Sequence, residues 1–379
     1  MKSRVLILGA GFGGLELATL LSEALADEID VTVIDKGDSF VFGYSKLDVM
    51  FRGATSEAVR LPYEEFVKPG VRFVRETITA IDPEAKRVTT TVATHEGDAL
   101  VIALGADYDL EGTPGLAESG DEFYSFDGAV RMGDAIRAFT KGRAVVGVCG
   151  APFKCPPAPS ECVLLLHDEL VQRGVRGECE ITLVLPFGRP VPPSPETSAA
   201  LISAFEERDI RLISSTKVSA QDRDRRAVVL DDGGELPYDL FLGVPKHRAP
   251  DVVVESGLTV DGYVPVDSAT LETRIPGVYA IGDVATQGTP KAGVFAEGAA
   301  RALAASLVSH LRGSGPKGVH AGTGSCYIEF GAGRIGRVDI DFLSGPSPTG
   351  TYHAPSVALR SDKEHFGSSR RARWFGRTS

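Results

Sequence analysis

Cysteine is scarce in this chain and odd in number: Cys149, Cys155, Cys162, Cys179 and Cys326 are the five thiols among 379 residues. An odd handful spread so widely argues against a disulfide framework. The expected uses in a reducing compartment are buried thiol, metal ligand or redox catalyst. Neither a CxxC pair nor a tight Cys/His cluster occurs, so no metal site is expected. Basic charge is also short, with 40 Lys and Arg against 51 Asp and Glu and a net charge of -11. Such a surface lacks the phosphate-neutralising excess that nucleic-acid binding needs. No apolar run approaches the roughly 20 residues of a membrane-spanning helix. No apolar segment with a small-residue cleavage site precedes the first strand, so no signal peptide is expected.

The remainder is ordinary globular material, 43% hydrophobic and 24% charged, and long enough for two or three domains. Val5-Leu6-Ile7-Leu8 is the unbroken apolar run of a strand buried on both faces. Residues 15–25 carry apolar side chains at helical spacing, and Val31-Thr32-Val33-Ile34 is a second strand ending at Asp35. Short strands are expected at 71–75 and 78–81, a β-rich excursion at 88–92 and a buried strand at 99–103. A second unit begins near residue 111, with strands at 144–148 and 181–185 and helices at 161–173 and 195–207. The chain returns to the first unit around 239–244 and adds a strand at 278–281 and a long helix at 292–311. Gly313-Ser314-Gly315-Pro316 then leads to a segment that is β-like at 326–330 and basic and aromatic at Arg370-Arg371-Ala372-Arg373-Trp374-Phe375. No internal repeat stands out.

Gly9-Ala10-Gly11-Phe12-Gly13-Gly14 is a GxGxxG between a strand and a helix. Gly9 permits the tight turn, Gly11 the close approach of a pyrophosphate, and Gly14 the packing of helix on strand. The helix N-terminus offers free N–H donors and a favourable dipole to the anion. Asp35, at the end of the second strand and followed by Lys36, is placed to accept hydrogen bonds from ribose hydroxyls. The motif signifies a dinucleotide but does not choose between FAD and NAD. The fold class is α/β, with two Rossmann-like doubly wound dinucleotide-binding units, 1–110 with 240–312 and 111–239, and a small C-terminal segment, 313–379.

Leu100-Val101-Ile102-Ala103-Leu104-Gly105-Ala106 and Val278-Tyr279-Ala280-Ile281-Gly282-Asp283 are buried strands ending in small residues and in Gly-Asp. They resemble the second and third FAD motifs of the glutathione-reductase-like flavoproteins that include the pyridine nucleotide-disulfide oxidoreductases. The resemblance implies FAD as cofactor, with Ala103, Gly105 and Gly282 at its binding strands and Asp283 on its ribityl chain. Pro290-Lys291-Ala292-Gly293-Val294-Phe295-Ala296-Glu297 is similar to the segment opening that family's last FAD-domain helix, which places Lys291 and Ala292 at the flavin. In most members the second unit carries its own glycine turn for NAD(P)H. Here that turn is Cys149-Gly150-Ala151-Pro152-Phe153-Lys154-Cys155-Pro156-Pro157-Ala158-Pro159-Ser160-Glu161, whose prolines remove N–H donors. A good NAD(P)H site is therefore not expected.

The same loop resembles the PFxCPPxPxE segment of flavocytochrome c sulfide dehydrogenases, relatives of the sulfide:quinone oxidoreductases. The resemblance implies that Cys155 and the distant Cys326 are two redox cysteines at the flavin, with Glu161 handling protons. It implies sulfide or a small thiol as substrate and a quinone or other electron acceptor. Lys154, beside Cys155, is a candidate for favouring its thiolate, and His247 in Pro245-Lys246-His247 a further candidate acid or base. Cys149, Cys162 and Cys179 read as small core residues. Phe42-Gly43-Tyr44-Ser45 lacks the cysteine by which some relatives link FAD, so the cofactor is expected to be non-covalent. The alternatives are an NAD(P)H-dependent flavin oxidoreductase of the type II NADH:quinone oxidoreductase kind and a low-turnover flavin redox sensor. The reading leaves open a homodimer and a peripheral membrane contact through the C-terminal tail, with the protein in the cytoplasm or at the inner face of the cell membrane.

Overall fold

The computed structural model describes residues 2–313 and 318–377; residues 314–316 of the expected linker lie outside them. Two all-parallel sheets organise the chain. The first has the spatial order Val278–Ala280, Ala99–Ile102, Ser3–Leu8, Ile29–Asp35, Val71–Arg75. Helices Phe12–Leu25 and Gly293–Arg312 lie together beside it. The apolar runs of Ser3–Leu8 and Ile29–Asp35 are buried almost throughout, as strands covered on both faces must be. The second sheet runs Ile210–Ile213, Cys179–Val184, Gly142–Val148, Leu240–Val244.

This order moves a boundary. Leu240–Val244 pairs with Gly142–Val148 in the second sheet, so the return to the first unit falls after Val244 rather than at residue 240. It is made by the short strand Lys246–Arg248, which pairs antiparallel with Asp107–Asp109. An unbroken apolar run identifies a parallel strand but not its sheet. The two units also share one topology: each places a three-stranded antiparallel excursion, 78–96 or 218–237, before its fourth parallel strand in chain order. That repetition was invisible in the sequence because only the first copy keeps its glycine turn.

The C-terminal segment is larger in structure than its sequence suggested. Thr323–Glu329, Ile335–Asp341 and Thr349–Ser356 form an antiparallel sheet, and Leu359–Phe375 is a helix. The tail, for which both a membrane contact and a packed arrangement were open, packs against the first unit. Trp374 is 0% exposed and Phe375 6% exposed, packed with Phe12, Phe40 and Phe42. Arg370 pairs with Glu297, Arg373 with Glu16 and Glu23, and Arg377 with Glu65. These rings and these three cations are thus engaged within the protein. Among the described residues no helix is long and apolar enough to cross a membrane.

Candidate active site

The carboxyl ends of the first sheet, the loop 151–157, the start of helix Gly293–Arg312 and the C-terminal segment enclose a cleft of about 480 Å³, a size usual for small-molecule sites. Gly9, Gly11 and Gly13 form one wall at the start of helix Phe12–Leu25, where the first N–H groups have no intrahelical acceptor. Gly9 has φ +101°, and a Cβ there would stand 2.4 Å from the Ala103 carbonyl oxygen. At Gly14, outside the cleft wall, a Cβ would come 2.0 Å from the Gly9 oxygen. Only glycine closes this turn. At Gly11 a Cβ would meet nothing within 4 Å, so that side of the backbone is open to a ligand.

The Asp35 carboxylate is fixed by the N–H groups of Ala10, at 2.8 Å, and Gly37, at 2.7 Å, and its remaining lone pairs are free for hydroxyl donors. Lys36, expected beside it in the site, is exposed and does not line the cleft. Ala103, Gly105, Gly282, Asp283, Lys291 and Ala292 also line the cleft. Lys291 Nζ donates to the Asp283 carbonyl at 2.6 Å, and burial lowers its pKa to about 8. Tyr124, also lining, is 4% exposed and its hydroxyl has no partner, an arrangement that a polar ligand would satisfy. The glycine turn, the anchored Asp35, the Gly282–Asp283 strand end and the orphaned hydroxyl fit a dinucleotide lying along the cleft.

At its chemical end the cleft is lined by Cys155, Cys326 and Glu161. Cys155 sits at φ +48°, uncommon for a residue with a side chain. Its N–H donates to the Lys291 carbonyl at 2.8 Å and its carbonyl accepts the Ala158 N–H at 2.9 Å, tying the proline loop to the wall beside Asp283. Cys326 arrives on strand Thr323–Glu329. Both are free thiols. Cys155 keeps accessible surface because it faces the cleft, while protein closes around its other sides. Burial first, then the charges of Glu161 and Cys326, push its thiol up, and Lys46 and Lys363 act downward. Burial and Glu161 raise Cys326 to about 12. Burial lifts Glu161 itself to about 7.

Cys149, Cys162 and Cys179 are buried away from the cleft. Two expectations change. Lys154, although adjacent to Cys155, is directed to Tyr108, 3.3 Å from its hydroxyl and 4.4 Å from its ring centre. The cations acting on the thiol are Lys46 and Lys363 instead. His247 stands behind the wall with Nδ1 2.8 Å from the Pro245 carbonyl, and burial lowers it to about 3, so it is a neutral ring at physiological pH. The sequence reading passed over Lys46, Tyr108, Tyr124, Lys363 and Phe366, all of which line the cleft and none of which belongs to a motif. Among the described residues no group of three or more His, Cys, Asp or Glu is arranged to hold a metal ion.

The helix Ala158–Gln172 begins where a second dinucleotide would bind, but its start is poor in donors. Pro157 and Pro159 have no N–H, the Ala158 N–H is occupied by the Cys155 carbonyl, and Glu161 adds a buried carboxyl to the first turn.

The family model described as pyridine nucleotide-disulphide oxidoreductase matches residues 3–300. The mitochondrial sulfide:quinone oxidoreductase of Mus musculus is 24% identical over 91% of this chain and 79% of its own length. The sulfide-quinone reductase of Aquifex aeolicus is 25% identical over 87% and 82%. An NADH dehydrogenase-like protein of Mycobacterium tuberculosis is 29% identical over 75% and 73%. In fold, the sulfide:quinone oxidoreductase structure from Aquifex aeolicus superposes with a TM-score of 0.84 at 22% identity, covering 98% of this chain and 91% of that one. The chain therefore belongs to the pyridine nucleotide-disulphide oxidoreductase family, as an FAD-dependent oxidoreductase of the type shared by sulfide:quinone oxidoreductases and type II NADH dehydrogenases.

Proposed function

We propose that this protein oxidises sulfide through Cys155 and Cys326 and delivers the electrons by way of FAD to a quinone or other acceptor. The observation carrying the reading is that, among the described residues, these two cysteines line the cleft that holds the FAD motifs, with Glu161 beside both. In the disulfide state, attack by hydrosulfide forms one S–S bond and breaks another, leaving a persulfide on one cysteine and a thiolate on the other. A second hydrosulfide removes the outer sulfur as hydrodisulfide, and re-forming the protein disulfide releases two electrons. Over the cycle two hydrosulfide ions become one hydrodisulfide ion, one proton and two electrons. FAD, when bound, takes up the electron pair. Glu161, with its pKa near 7, is suited to accept a thiol proton at neutral pH. Lys46 and Lys363 favour the thiolate form of Cys155.

The relatives named for NADH support a second reading, which the donor-poor start of helix Ala158–Gln172 opposes. Anaerobic stopped-flow mixing separates the two. Sulfide is expected to bleach the flavin band within a normal turnover time, on the order of a tenth of a second, and NADH and NADPH to leave it largely intact over that interval. Rapid bleaching by a nicotinamide nucleotide, with none by sulfide, would replace the proposal with its rival.

The cofactor is expected to be non-covalent, because Cys149, Cys162 and Cys179 lie outside the cleft and the other two thiols are assigned to sulfur chemistry. Acid precipitation of the holoprotein should release FAD into the supernatant; yellow colour retained in the washed pellet would contradict this.

A further inference from the structure

Behind the thiol pair lies a second buried carboxylate that the proposed chemistry leaves unexplained. Glu329 is 2% exposed and stands three positions beyond Cys326 on the same strand. Its backbone N–H donates to Glu161 Oε1 at 3.0 Å. Its own carboxylate meets Lys363 Nζ at 2.5 Å and the Arg52 guanidinium at 2.9 Å through Oε1, while Oε2 is buried without a partner. We propose that Glu329 is a positioning residue for Glu161, and that with Lys363 and Arg52 it forms a fixed charge set governing when Glu161 can take a cysteine proton. This inference rests on the sulfide-oxidising reading of the same site.

The geometry gives each member a separate task. The Glu329 N–H orients the Glu161 carboxyl and favours its ionised form. The Glu329 charge does the reverse, because like charges in a dry site resist joint ionisation. Lys363 and Arg52 limit that repulsion by neutralising Glu329. The two acids are accordingly driven apart. Burial alone would raise Glu329, but Lys363 and Arg52 more than offset it and the group is lowered, whereas Glu161 rises. Carboxyls separated in this way take different roles, one a standing anion and one a proton acceptor.

The titratable neighbours come from several elements. Glu161 is within electrostatic reach of Cys155, Cys162, Cys326 and Tyr124, and of Glu329, Lys363 and Arg52. Glu329 faces Arg52, Lys363 and Glu161. Lys363 belongs to the C-terminal helix, so docking of that helix also sets the proton affinity of Glu161.

The test is an infrared titration of the protonated-carboxyl band in oxidised, FAD-loaded protein, with Glu161→Gln identifying the band. Glu329→Gln keeps the backbone donor, removes the repelling charge and leaves two cations uncompensated, so the Glu161 midpoint should fall by roughly one pH unit. Lys363→Gln should raise it by a similar amount, and the double variant should return close to wild type. The acid limb of sulfide-dependent flavin reduction should move with each midpoint, because the deprotonated carboxylate is the proton acceptor. Opposite shifts that cancel are not expected of residues that merely hold the fold. If Glu329→Gln does not fold, the sign of the Lys363→Gln shift still decides. Shifts of one sign, or none, overturn the inference. A wild-type flavin that sulfide fails to reduce overturns the functional reading instead, and the infrared titration tells the two failures apart.

Discussion

Replacing either Cys155 or Cys326 by serine is expected to cut sulfide-dependent flavin reduction at least about a hundredfold, with the double variant scarcely worse than either single one. Members of a catalytic unit fail together rather than additively. Disulfide exchange requires both an attackable sulfur and a leaving thiolate, and a serine hydroxyl supplies neither. The structure provides internal controls. Cys149 and Cys162 are 0% exposed and Cys179 is 5% exposed, all in the hydrophobic core and outside the cleft. Serine at these positions buries a hydroxyl at a cost of about 1–3 kcal/mol, which lowers thermal stability without touching the rate. FAD content should be retained in all five variants. Stopped-flow reduction by sulfide, normalised to bound flavin, makes the comparison. Undiminished reduction without Cys155 and Cys326 would remove the thiol pair from the mechanism.

How much of this was legible beforehand depended on how local each signal was. The first strand, glycine turn, helix and Asp35 lie within one short stretch. Each has a composition that physics demands: apolar strand, glycine where a Cβ would strike backbone, acid at the strand end. The structure places Gly9, Gly11 and Asp35 together in the cleft. Lys36 failed because neighbouring residues at a strand end point in different directions, and Lys154 beside Cys155 failed for a similar reason. Lys46, Tyr124, Glu329 and Lys363 reach the site from three different elements and a loop, and no spacing rule connects them.

The C-terminal helix was hidden for another reason. A helix is read from an apolar stripe, but Leu359–Phe375 buries only Gly367, Trp374 and Phe375. Much of its remaining attachment is by ion pairs, from Lys363 to Glu329, Arg370 to Glu297 and Arg373 to Glu16 and Glu23. In sequence such a segment resembles a solvated or membrane-seeking tail. All of these partners but Glu23 are buried carboxylates, visible only after folding.

That attachment has a large expected effect at Trp374. The indole is 0% exposed among Phe12, Phe40 and Phe42, with ring centres 5.5–6.4 Å away. Its N–H donates to Glu16 Oε2 at 2.9 Å, helping to satisfy a carboxylate that is 3% exposed. Trp374→Ala leaves a cavity and should cost about 3–5 kcal/mol. Trp374→Phe retains most of the packing but removes the donor, and should cost about 1–3 kcal/mol. Since Trp374 is the single tryptophan, the urea midpoints of the variants are followed by circular dichroism, while wild-type indole emission reports the undocking of the helix directly. The effect should reach the cofactor. Phe12 lines the cleft, and its ring lies 2.7 Å from where a Cβ of Gly293 would stand, so it bridges Trp374 to the start of the helix at the flavin wall. Trp374→Ala should therefore also lower FAD content at a fixed flavin concentration. Liposome co-sedimentation supplies the opposing outcome. An unchanged urea midpoint and FAD content, together with loss of vesicle binding, would show that the tail works at a membrane and not in the core.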